Sequence, residues 1–170
     1  MMGSHFFPRS FRAILAFGFL FGICRNVCFA PQTPPEPNRV ERRRLAEKFV
    51  QEKLPYWRRR LALEDWNISI FAVHPSDLRP RTLGNVHWDK EKKTAVIRVL
   101  DASDYQMPFR ATLNDLEFTI VHELIHLELA SLPRSEASRS DEEHAVNRLG
   151  EALIKLERTG KQPIAPVKTR

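Results

Sequence analysis

Asn114-Asp115-Leu116-Glu117-Phe118-Thr119-Ile120-Val121-His122-Glu123-Leu124-Ile125-His126-Leu127-Glu128-Leu129-Ala130-Ser131 decides the fold. Apolar residues recur in it at helical spacing, Asn114 and Glu117 suit a capped start, and Pro133 closes the segment, so the pattern predicts a helix over 114–131. Residues four apart on a helix stand one turn above each other, about 40° apart around the axis. His122 and His126 can therefore bring two imidazoles to one ion. Glu123 is displaced by about 100° from His122 and about 60° from His126, so its carboxylate flanks such an ion without ligating it. That arrangement suits hydrolysis: an ion such as zinc makes water acidic enough to ionise near pH 7, and a neighbouring carboxylate takes its proton.

Catalytic zinc sites take three protein ligands and keep a position open. Position 132 is Leu, which excludes a third His six residues beyond the second. The next ligand-type cluster is Asp141-Glu142-Glu143-His144, where Asp141 predicts the cap of a last helix reaching Leu156, with Val146, Leu149, Leu153 and Leu156 as its buried stripe. Helical phase relative to Val146 favours Glu143 as third ligand, with Glu142 and then His144 as alternatives.

Working outward, Trp66 to Val73 alternates Trp66, Ile68 and Ile70 against Asn67 and Ser69, the period of a half-buried strand. Gly84 to Trp88 and Thr94 to Leu100 predict two more strands, with Asp89 to Lys93 as a polar hairpin connection. Residues 101–113, containing Pro108, read as an irregular passage. Upstream, Val40, Leu45, Phe49, Val50 and Leu54 predict an amphipathic helix that Pro55 ends or kinks, with a further turn carrying Trp57 and Leu61. The fold class is thus α+β: an N-terminal helix, a small three-stranded, mostly antiparallel sheet, the His-Glu-x-x-His helix and a C-terminal helix.

The 170 residues carry 27 Lys and Arg against 21 Asp and Glu, a net +6. Arg42 to Arg44 and Arg58 to Arg60 are dense basic runs that could meet nucleic acid, although a solvated helix face is the favoured reading. Both cysteines, Cys24 and Cys28, precede the folded part, so any metal there is held by imidazole and carboxylate. Residues 1–30 form a signal-like leader: no acidic residue, Arg9 and Arg12, an apolar run from Ala13 to Cys24, and a small-residue exit at Ala30. Export is the favoured reading, with an organellar transit sequence or a cytoplasmic protein with a misplaced start as alternatives. The apolar run is too short to span a bilayer comfortably. A Pro-rich linker at 31–38 leads to a domain at 39–158, and residues 159–170 form a loose tail.

The motif followed by a carboxylate on the next helix resembles the gluzincin branch of the zincin metallopeptidases. More closely, residues 56–156 resemble small phage-type metallopeptidases through Trp66-Asn67-Ile68, Gly84-Asn85-Val86-His87-Trp88, His122 to Leu127, and Glu142-Glu143-His144-Ala145-Val146. Glu143 to Asn147 is also similar to the Glu-x-x-Ala-Asn segment of repressor-cleaving metallopeptidases, with Ala145 one place early. The resemblance implies a minimal zincin-like domain whose edge strand lines the cleft and pairs with an extended peptide substrate. It also implies an oxyanion-stabilising Tyr or His, for which Tyr105, His87 and His74 are the candidates. The expected function is zinc-dependent peptide hydrolysis, with one ion held by His122, His126 and Glu143 and with Glu123 as general base. Two alternatives stand beside it: a DNA-associated, SprT-like protease, and a non-catalytic domain stapled by zinc with His144 as fourth ligand.

Overall fold

The structure, a computed structural model, describes residues 35–160 apart from Arg134 and Glu136. The expected leader, linker residues 31–34 and the chain beyond Gly160 lie outside the described residues. Helix α1 spans Arg39–Arg60, strands β1, β2 and β3 span Asn67–Val73, Gly84–Asp89 and Thr94–Leu100, and helices α2 and α3 span Phe109–Glu128 and Arg139–Gly160. This is the expected α+β layout.

The sheet order is β1-β3-β2. β2 and β3 form the expected hairpin, and Asp89 accepts from the amides of Glu91 and Lys92 at its turn. β1 pairs with β3 in parallel from Asn67↔Thr94 to Val73↔Leu100, so the sheet is mixed. The cause is the connection over 74–83, which carries the chain past the end of β3 and leaves β2 as an edge strand. Ile68, Ala95, Ile97 and Val99 point from one face of the sheet into the core.

α2 forms the centre, packed against α1, α3, β2 and β3. Eleven of its 20 residues are buried, which requires apolar side chains on nearly every side. It begins at Phe109, five residues before the expected start at Asn114. Pro108 has a φ of −53° that already suits a helix entry and has no amide to satisfy. The Phe109 amide donates to Glu36 Oε2 at 2.9 Å, from a residue 73 positions upstream. Asn114 instead accepts from Arg158 on α3, and Glu117 is a buried partner of Lys53 and Trp57 rather than a cap.

α1 continues through Pro55, where both Pro55 and Gln51 are exposed, so the carbonyl left without its amide faces water. Val40, expected in the buried stripe, is 81% exposed. The first turn is held instead by Arg39 and Arg42, which donate to the carbonyls of Ser103 and Ala102. On α3 the buried residues are Val146, Gly150 and Ile154, while Leu149 and Leu156 are exposed. The reason is Gly150: a Cβ there would sit 3.3 Å from the Phe118 ring, so the bare backbone is where α3 meets α2. No helix of the described residues is long and apolar enough to cross a membrane.

Candidate metal centre

His122 and His126 lie on the same side of α2, and α3 crosses that side with Glu143. His122 Nε2 and His126 Nε2 are 3.1 Å apart, and Glu143 Oε2 lies 3.3 and 3.4 Å from them. Donors at 2.0–2.1 Å from a tetrahedrally held ion stand about 3.3 Å from each other, so this triangle fits one. Among the described residues, His122, His126 and Glu143 form a group that could hold a metal ion.

The chemistry of the donors points the same way. His122 Nδ1 is 3.1 Å from Asn147 Oδ1, and His126 Nδ1 is 3.0 Å from Glu142 Oε1. Each oxygen is an acceptor, so each Nδ1 carries the proton and each Nε2 presents a lone pair. Two lone pairs and a carboxylate oxygen then converge, which a cation relieves. Burial, followed by the charge of His126, lowers the pKa of His122, which favours the neutral ring a metal requires.

The three expected ligand alternatives occupy different positions. Glu143 reaches the imidazole nitrogens, Glu142 orients His126 from behind, and His144 is exposed and outside the group. Asn147, four residues beyond Glu143, entered the sequence reading only within a resemblance and with no role, although its position on the same helical face offered the signal.

Glu123 is 6% exposed beside this group. Burial, then the charge of Glu143, pushes its carboxyl up to about 8. A cation held by Glu143 would offset the second cause. The carboxylate sits against the first residue of β2, where a Cβ on Gly84 would meet Thr119 Cγ2 at 2.5 Å and Glu123 Oε1 at 3.1 Å. Only glycine lets the strand come so near.

A cleft of about 820 Å³ opens over the group, lined by Gly84 to Trp88 of β2 and by Thr119, His122, Glu123, His126, Glu143 and Asn147. Of the candidate oxyanion residues, His87 lines it. Tyr105 is buried and donates to Asp115 at 2.9 Å, and His74 pairs with Asp104 at 2.7 Å.

The basic runs are largely engaged within the chain. Arg42 donates to Ala102 O, Met107 O and Thr112 Oγ1, and Arg43 pairs with Asp101 at 2.7 Å. Arg58 donates to Glu64 O and Trp66 O, and Arg60 pairs with Glu157. These guanidinium groups pin loops and helices to one another. No family model, curated protein or solved structure matches the chain.

Proposed function

We propose that this protein is a zinc-dependent metallopeptidase that hydrolyses peptide bonds. The observation that carries the reading is the convergence of two oriented imidazoles and one carboxylate beside a buried second carboxylate, at the floor of an open cleft. His122 and His126 through Nε2, and Glu143 through Oε2, would hold the ion. When bound, zinc supplies a Lewis acid for hydrolysis by water near neutral pH. Glu123 takes the proton of the attacking water and returns it to the leaving amine, a task suited to a carboxyl whose surroundings raise its pKa. Asn147 and Glu142 hold the two rings in the required tautomer.

β2 supports a peptide rather than a compact substrate. It is an edge strand whose residues line the cleft, so an extended chain laid beside it would find backbone donors and acceptors for pairing. The zinc-staple reading would need a fourth ligand, and the described residues bring three together. The DNA-associated reading rests on arginines whose contacts are mainly within the chain.

The test is cleavage of a generic peptide library by purified protein, with metal measured by mass spectrometry. The expected result is about one zinc per chain, hydrolysis abolished by a chelator, and recovery on adding zinc back. A protein that binds no divalent ion, or that cleaves equally well after His122→Ala and His126→Ala together, would refute the proposal.

A further inference from the structure

Beyond the metal group the cleft carries a feature that the hydrolytic step does not use. Asp115 lies on α2 two turns before Glu123, and it lines the cleft together with Phe118 and Thr119. The same Asp115 and Phe118 also line a groove of about 520 Å³ between α2 and α3, so the two depressions meet there. The buried hydroxyl of Tyr105 donates to Asp115 Oδ2 at 2.9 Å, and the other carboxylate oxygen has no partner among the described residues. Burial, then the charge of Asp115, pushes the Tyr105 pKa upward, so this hydroxyl stays a donor throughout the working pH range. One oxygen is thus held by Tyr105, in a side chain that lines the cleft.

Resting on the metallopeptidase reading, we infer that Asp115 forms a subsite for a cationic side chain of the substrate, lysine or arginine, near the third residue from the bond cut. The distance follows from helix geometry. Asp115 precedes His122 by seven residues and Glu123 by eight, or about 10–12 Å along the axis at 1.5 Å per residue. An extended peptide covers that in about three residues at roughly 3.3 Å each. The charge follows from burial. Asp115 is half-buried in the cleft, whereas Arg79, Arg81 and Arg139 of the cleft and Lys155 and Arg158 of the adjoining groove are all exposed. Their fields are screened by water more strongly than that of a half-buried carboxylate.

The experiment uses zinc-loaded Glu123→Gln protein, so that bound peptide is not consumed, and decapeptides in which one lysine is moved through an otherwise uncharged sequence. Each peptide has a glutamine counterpart, and binding is measured by calorimetry. At one lysine position the lysine peptide is expected to bind about tenfold more tightly than its counterpart. Adding Asp115→Asn, which keeps an acceptor for Tyr105, should bring that ratio within twofold and leave the glutamine peptide unchanged. A ratio that persists in the double variant, no charge preference at any position, or no binding of any peptide overturns the subsite. Cleavage of the same peptides by the wild-type protein is scored separately. Charge-dependent binding without wild-type cleavage would sink the metallopeptidase reading and keep the subsite.

Discussion

Glu117 and Glu123 stand six residues apart on α2, and each is 6% exposed, yet they occupy opposite chemical situations. Glu117 is surrounded by donors: the Lys53 ammonium and the Trp57 indole reach Oε1, and Arg158 approaches Oε2 at 3.9 Å. Its charge is compensated by groups from α1 and α3, so it ties three helices together. Glu123 has no hydrogen-bond or ion-pair partner among the described residues, and burial, then the charge of Glu143, raises its pKa to about 8. Burying a carboxylate with counter-charges makes a fastening, while burying one without them raises its pKa. The same residue type on the same helix acquires its role from its neighbours.

The strongest way to break this contrast is Glu123→Gln. It should reduce peptide hydrolysis by about 10³-fold at unchanged zinc content, because it removes a proton acceptor and no ligand. A variant that retains a tenth of the wild-type rate would remove Glu123 from the chemistry. Glu117→Gln should do the converse. It leaves Lys53 uncompensated, so denaturant unfolding should show a loss of about 3 kcal/mol, with zinc content preserved. The low end of the usual range applies because the Lys53 side chain is 25% exposed and can reach water. Next come the groups behind the imidazoles. Glu142→Gln and Asn147→Ala should each weaken zinc affinity by roughly 10- to 100-fold in a chelator competition, and an unchanged affinity would separate them from the site.

A third carboxylate supplies the smallest effect. Burial raises the Asp101 pKa, but hydrogen bonding from Ser103 and the nearby Arg43 outweighs it, and the net value lies below the usual 3.8. A depressed carboxylate contributes stability above its unfolded value and loses it as pH falls through the folded value, so this contribution should begin to fall near about pH 4 and vanish below the folded value. Asp101→Asn should cost about 1 kcal/mol at pH 7 and flatten stability in that acid range. Equal acid sensitivity in the two proteins would show that Asp101 is not linked to the transition.

The pairing of His122 with His126 was legible early because residues four apart on a helix share one side, and that spacing stands in the sequence. β1 was legible because its apolar alternation has a period no helix shares, and β2 and β3 because a polar hairpin connection, Asp89 to Lys93, separates two short stretches. The pairing of β1 with β3 was not, since strand direction depends on how the chain travels over 74–83 and no residue there encodes a partner. The buried side of α3 was misjudged because Leu149 and Leu156 signal burial through their side chains, whereas Gly150 makes the closest approach by having none. Helical phase placed Glu143 ahead of Glu142, but it could not separate the carboxylate that meets both Nε2 atoms from the one at His126 Nδ1, since both lie near the cleft. The start of α2 was hidden because its first amide is met by Glu36, far outside any local window.

That last contact fixes how much of the N-terminal segment can be lost without touching the motif helix. A proteolytic nick before Pro35 spares the Glu36 carboxylate, whereas one after Glu36 strips α2 of the acceptor at its first turn, at a cost of about 1 kcal/mol. Truncation from the N-terminal side therefore meets a chemical boundary two residues ahead of the Asn38 side chain that starts α1.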